Sequence, residues 1–355
     1  MTATLADDTI PATDRPVVYR PQSAVFWLLI AALGLGILGL LGEFGPAISE
    51  TLNTQLALAP IWLGFIVFLL WLMFKFDPYR SVRPYPQGLV AGAALGATTA
   101  VVMAMHGNGA LQQLWARVLD PDTVAAWGPA LSAPFVEEAA KGLCATVILV
   151  LCAATYNRIA HALMLGMFVG FGFDISEDLT YATRSAIYSL DSDLAGAGVN
   201  LVARILTAIP AHWSYTGLFT VGVLVLLPSF AGRDRWSPAR RLGVAAALMF
   251  SAVFMHFVWD APVPENILTK FAINLVIFFT AALLLIRDER DRVRGRIAAG
   301  RDVDPLRGVD DEVLDSLGSW RDRRRFLRQA RRAGGRKAKK AARQRQRDAL
   351  DLLNR

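Results

Sequence analysis

The chain has 355 residues, 54% of them apolar, with a net charge of +7 and a mean hydropathy of +0.38. A soluble domain carries about 45–50% apolar residues, so the composition excludes an ordinary water-soluble globule and a disordered polyelectrolyte. Two cysteines in this length exclude a disulfide scaffold.

Residues 1–21 hold three prolines and no apolar run, which predicts a disordered arm. The apolar excess then falls in windows of roughly 20 residues, the length a helix needs to cross about 30 Å of hydrocarbon. The windows are Ser23–Leu41, Ala57–Phe76, Gln87–His106, Trp127–Tyr156, Ala160–Ser176, Pro210–Phe230, Leu242–Asp260 and Asn266–Ile286. They predict an all-α, polytopic bundle of about eight spans. The first window is too long for a signal-peptide core and no small-residue cleavage site follows it, so it reads as a retained helix. Gly198–Ile209 is helical in pattern, and Pro210 separates it from the sixth window as an interfacial or re-entrant piece. Cys144 and Cys152 would lie about 12 Å apart along one helix, beyond disulfide reach.

Basic residues alternate between loops. Lys75, Arg80 and Arg83 follow the second window, Arg158 the fourth, and Arg233, Arg235, Arg240 and Arg241 the sixth. The intervening loops are poorer in basic residues, so the positive-inside rule places both termini in the cytoplasm of a multi-pass cell-membrane protein. Three regions result: the arm (1–21), a membrane-embedded domain (22–287) and a basic cytoplasmic tail (288–355). Counted from Arg287, the C-terminal stretch holds 22 Lys/Arg against 12 Asp/Glu, a net of +10. Everything before it therefore sums to −3. Within the tail, Trp320–Arg332 and Lys337–Leu353 read as helical. Such juxtamembrane basic clusters attract anionic cytoplasmic lipids, and this reading is favoured over nucleic-acid binding.

Four segments place ionisable groups within or at the end of apolar windows. They contain Glu137-Glu138-Ala-Ala-Lys141, Phe173-Asp-Ile-Ser-Glu177-Asp178, His212-Trp-Ser-Tyr-Thr216-Gly217 and His256-Phe-Val-Trp-Asp260. Each charged group costs about 2.5–3.5 kcal/mol at the centre of a spanning helix, so these must face the bundle interior or water. Lys141 is spaced to pair with Glu137 (i,i+4) or Glu138 (i,i+3). Asp260, one turn beyond His256, is placed to accept the second ring N–H of that histidine. Counted along the helices, Glu137, Glu177, His212 and His256 converge toward one cavity opening on the extracytoplasmic side. His161 lies toward the opposite face, and His106 caps the third window. Intramembrane acids and histidines of this kind also serve transporters and channels, and an ion or solute pathway with a Glu/His relay is the alternative function.

The four segments, in this order on successive apolar helices, resemble the PrsW family of intramembrane proteases, and more distantly the type II CAAX prenyl endopeptidases. In the wider group the first motif usually ends in arginine one residue later, and the second carries histidine where this chain has Glu177. Both departures point to the PrsW branch. The resemblance covers about 129–261. It implies proteolysis of membrane-anchored protein substrates, with anti-sigma factors as those associated with the family. It also implies either a glutamate-activated water or a bound divalent metal such as zinc. The residues allow both. As catalytic candidates we take Glu137, Glu138, Glu177, His212 and His256, supported by Lys141, Phe173, Asp178 and Asp260. Glu137, Glu177, His212 and His256 are the candidate ligands if a metal is used. No two histidines stand at i,i+4 on one helix to anchor zinc, so the expectation leans to the metal-free form. Glu137 is then the base, with Glu138 paired to Lys141.

Overall fold

The structure, a computed structural model, describes residues 17–301 and 305–354. The expected arm lies largely outside the described residues, which begin at Val17. Among the described residues every regular element is a helix: α1 (Ala24–Glu50), α2 (Leu52–Met73), α3 (Pro86–Leu95), α4 (Val101–Val118), α5 (Pro121–Leu151), α6 (Ile159–Ile187), α7 (Asp193–Thr207), α8 (His212–Leu226), α9 (Pro238–Asp260), α10 (Ile267–Gly300), α11 (Asp311–Leu317) and α12 (Trp320–Leu353). A single π turn, Gly96–Ala100, joins α3 to α4. The chain divides into two compact units, Val17–Phe74 with Gln87–Ala282, and Lys75–Pro86 with the stretch from Leu283 on.

In the larger unit, six helical runs are long and apolar enough to cross a membrane: α1, α2, α3 through α4, α6, α9 and α10. Helices α7 and α8 make a further candidate only as a pair, bent by 46° at their break. Helix α5 has 31 residues but interrupts its apolar run with Glu137, Glu138 and Lys141. Each of the eight windows corresponds to one of these runs. Several helices outrun their windows, as α1 does by continuing past Leu41 to Glu50; two of these extensions have a visible cause. The third run continues past His106 to Val118, because α4 keeps packing on α5, where the Trp115 indole N–H donates to the Leu131 carbonyl (3.2 Å). The fifth continues past Ser176 to Ile187, because Arg204 of α7 neutralises Glu177 and Asp178 and no solvated charge ends the helix there.

Hydrogen bonds tie alternate helix ends together. The Val17 N–H donates to Gln87 at the start of α3 (3.2 Å). The Val17 carbonyl accepts from the Cys152 thiol just past α5 (3.1 Å). The Asn157 carbonyl before α6 accepts from Ala231 beyond α8 (2.9 Å). The entries to α1, α3 and α6 thus lie at one end of the bundle with the exits of α5 and α8. This is the pattern of antiparallel crossings.

The smaller unit has its own apolar core, drawn from Tyr79, Val293, Ile297, Val313, Leu314, Leu317, Phe326 and Leu350, among others. The stretch read as a polar tail is therefore packed, and α10 runs unbroken from apolar Ile267 to Gly300. The two tail helices of the sequence reading are the arms of α12. They fold back on each other where Gly334 and Gly335 leave helical geometry, Gly335 at φ +67°, a conformation glycine adopts without penalty. The Arg345 guanidinium consequently lies over the Phe326 ring, 5.5 Å from its centre. Arg80 is also left-handed, at φ +58°. Its guanidinium forks onto Asp351 (2.8 and 3.1 Å), which offsets a backbone cost of roughly 1–2 kcal/mol.

Candidate active site

The site is assembled from α5, α6, α8 and α9. Helix α8 lies so close to α6 that a Cβ at Gly170 would run into the His212 carbonyl, and one at Gly166 into the Thr216 carbonyl. Small residues four apart permit this backbone contact in membrane helices. The first turn of α8 is fixed by Asp174 of α6, whose carboxylate accepts from the Trp213 backbone N–H (3.1 Å). A carboxylate at a helix N-terminus satisfies an orphan donor and opposes the positive end of the dipole. His212, the first residue of α8, is thereby held against the α6 carboxylates. At the end of α9 the Lys270 ammonium donates to the carbonyls of Trp259 (2.9 Å) and Ala261 (2.5 Å), which fixes the turn carrying His256.

Glu138 and Lys141 are fully buried and 2.6 Å apart. The other Glu138 oxygen accepts from the Thr216 hydroxyl (3.1 Å), and Oε1 also faces Nδ1 of His256 (3.1 Å). Glu137 is arranged differently. Its Oε1 accepts from the Asn108 side-chain amide of α4 (3.0 Å), while Oε2 is buried without a hydrogen-bond partner. That oxygen lies 3.5 Å from Nζ of Lys141, 3.8 Å from Nδ1 of His212 and 3.8 Å from Nε2 of His256. His212 is held at both nitrogens, 2.8 Å from Nζ of Lys141 at Nδ1 and 3.1 Å from Glu177 at Nε2. Glu177 in turn pairs with Arg204 (2.6 Å), which also binds Asp178.

The Phe173 ring lies under Nζ of Lys141 at 4.3 Å and edge-on to His212. A cation over an aromatic face is stabilised by the ring quadrupole. Tyr215 stacks on the His256 ring and accepts from Asn274 of α10 (3.1 Å). Asp260 lies 3.4 Å from Nε2 of His256, not from Nδ1.

A cavity of about 230 Å³ opens beside this cluster, lined by Glu137, Glu177, His212, His256, Asp260 and Asn108. Its far wall is apolar, made by Trp62, Phe65, Ile66 and Leu69 of α2. The nine residues singled out from sequence are thus gathered in one region. Glu138, Lys141 and Phe173 support it from behind the cavity lining. Three contributors were not singled out. Arg204 precedes the window read as a span, Asn108 lies just beyond the predicted end of another, and Asp174 was read only as part of its motif. His161 pairs with Arg158 at the opposite end of α6, and His106 is exposed on α4.

Membrane-length helices closing around a polar cavity define a polytopic membrane protein with an interior site of carboxylates and imidazoles. Residues 85–286 match the PrsW family intramembrane metalloprotease description. The match covers more than half of the chain and all four motif segments, and the chain belongs to this family of membrane proteases. No curated protein and no solved structure matches it.

Proposed function

We propose that the chain is an intramembrane endopeptidase that cleaves membrane-anchored proteins from near the extracytoplasmic side, with water activated at Glu137, His212 and His256. The observation carrying this reading is Oε2 of Glu137, buried beside the cavity without a hydrogen bond, 3.5 Å from Nζ of Lys141 and 3.8 Å from a nitrogen of each histidine. A buried carboxylate oxygen with no hydrogen bond of its own can take a proton from water. When no ion is bound, Oε2 is the acceptor for the proton lost by the attacking water, and it returns that proton to the leaving amide nitrogen; with an ion bound, Glu137 would be a ligand and the ion itself would acidify the water. Lys141, lodged between the two glutamates, balances their charge without leaving the helix that carries them. Family membership favours proteolysis over a transport pathway. Anti-sigma factors are the substrates the resemblance implies.

The family's description implies a metal, and the donor set suits one. Glu137, His212 and His256 each offer an atom, all within 4.8 Å of one another. Two imidazoles and a carboxylate form an established zinc set, in which bonds of about 2.1 Å leave donors roughly 3.4 Å apart. A divalent ion held by these three side chains would lower the pKa of water and polarise the scissile carbonyl. The lack of a histidine pair on one helix, which inclined the sequence reading to metal-free chemistry, is no obstacle, because α5, α8 and α9 each supply one donor. With Nδ1 of His256 turned to Glu138, its Nε2 faces the cavity-lining Asp260 (3.4 Å) and Glu137 (3.8 Å). Nδ1 of His212 is engaged by Lys141 (2.8 Å), so an ion held there would have to displace that contact. Metal content and cleavage measured together test this: strong chelator should remove both, and one divalent ion should restore both. Full activity in metal-free protein would overturn the ion's role and leave Glu137 acting alone.

The alternating end contacts support eight crossings with both termini cytoplasmic, counting α5 as one and the bent α7–α8 pair as one. Packing of the 75–86 loop with the C-terminal stretch in one unit agrees, since an even number of crossings must separate them. For the basic arms of α12 we propose anionic lipid headgroups as partner. Residues 323–347 carry 13 Lys/Arg and no acid.

A further inference from the structure

Asn108 lies outside every motif segment, on a helix that contributes nothing else to the charged cluster, yet its amide is the hydrogen-bond donor to the carboxylate placed at the reacting position. Local geometry brings it there. The π turn Gly96–Ala100 adds a residue to the turn entering α4, which rotates everything after it by about 100° relative to an unbroken helix. Gly107 then sits so close to α5 that a Cβ there would strike the Val136 side chain. The next residue on each helix is Asn108 and Glu137. Two turns further along α4, Trp115 is bonded to the Leu131 carbonyl of α5 (3.2 Å), which fixes the register of the two helices.

The residue type matters. A carboxylate oxygen needs a donor opposite, and the Asn108 amide nitrogen supplies one at 3.0 Å. A lysine or arginine here would neutralise Glu137 and occupy it as a salt-bridge partner. An acid would add a third carboxylate to the Glu137–Glu138 pair. A neutral donor fixes Oε1 and leaves the charge and the lone pairs of Oε2 for the site. Resting on the reading of Glu137 as the reacting carboxylate, we infer that Asn108 is a positioning residue for the proteolytic reaction, holding Glu137 so that Oε2 faces His212 and His256.

The test uses full-length protein in proteoliposomes with a single-pass membrane reporter tagged at both ends. Wild type, Glu137→Gln, Asn108→Leu, Asn108→Asp, Asn108→Gln and the Asn108→Leu/Glu137→Gln double variant are compared for kcat, KM and thermal unfolding. Loss of a residue that orients a reacting group typically costs about 10–100-fold. Asn108→Leu and Asn108→Asp should lose that much in kcat, with KM within about twofold and unfolding unchanged. Asn108→Gln, which keeps the donor on a longer arm, should recover part of it. The double variant, inactive like Glu137→Gln, serves as the control that unfolding is unchanged. Wild-type kcat in both Asn108→Leu and Asn108→Asp, while Glu137→Gln is inactive, would overturn the inference and leave the protease reading standing. Losses that follow unfolding would also overturn it. Absence of cleavage by the wild type would instead strike the protease reading itself.

Discussion

Nδ1 of His256 lies 3.1 Å from Oε1 of Glu138, a residue 118 positions earlier on another helix. Asp260, the acid that spacing alone assigns to this histidine, faces Nε2 instead, at 3.4 Å. Glu138 is therefore the nearer carboxylate, at Nδ1, while Asp260 and Glu137 stand at Nε2. Glu138→Gln should thus reduce kcat more than Asp260→Asn. It should also destabilise the fold, since removing one partner of a buried ion pair costs about 3–5 kcal/mol, whereas Asp260→Asn should unfold near the wild-type temperature. Turnover and thermal unfolding measured on both variants check the order. A more severe kcat loss in Asp260→Asn would show that Nε2, not Nδ1, is the oriented nitrogen.

Much of this was legible before the structure. Charges spaced along apolar windows mark the residues that must turn inward, and the family motifs follow from them. Pairing across helices was not legible. Spacing pairs Glu138 with Lys141, but it cannot show that His256 approaches the same carboxylate, because that depends on how α5 and α9 rotate as they pack. The extent of α4 was hidden for a related reason. His106-Gly-Asn-Gly reads as the polar end of a span, and only contact with α5 turns Gly107 and Asn108 inward. The packing within the tail was not legible because its core residues, such as Val313, Leu317 and Phe326, are too sparse among arginines to show a pattern until α10, α11 and α12 bring them together.

Topology can be read with reporter fusions. Sites after Glu50, Arg117, Asp191 and Pro264 should report an extracytoplasmic location, and sites after Arg83, Arg158 and Arg235 a cytoplasmic one. The bent α7–α8 pair makes Asp191 the informative position. A cytoplasmic signal there would place the cavity on the other side of the membrane and reduce the crossings inferred from α5 to α8.

The basic arms of α12 make a different forecast. Trypsin should cut near the exposed Gly334–Gly335 turn several-fold more slowly in nanodiscs containing phosphatidylserine than in phosphatidylcholine alone. The contrast should vanish in about 1 M salt, where screening shortens to roughly 3 Å. Equal rates in both bilayers would remove lipid headgroups as the partner. Protection by added duplex DNA but not by anionic lipid would assign the surface to nucleic acid.

The most direct test of the central claim is cleavage of a tagged single-pass reporter by purified protein, scored by the mass of the new ends. Wild type should release a product cut near the extracytoplasmic side of the reporter's span. Glu137→Gln, His212→Asn and His256→Asn should release none while inserting, unfolding and binding the reporter as wild type does. Cleavage at the wild-type rate by Glu137→Gln, or ion flux from all four proteins with no peptide bond cut by any, would contradict the account.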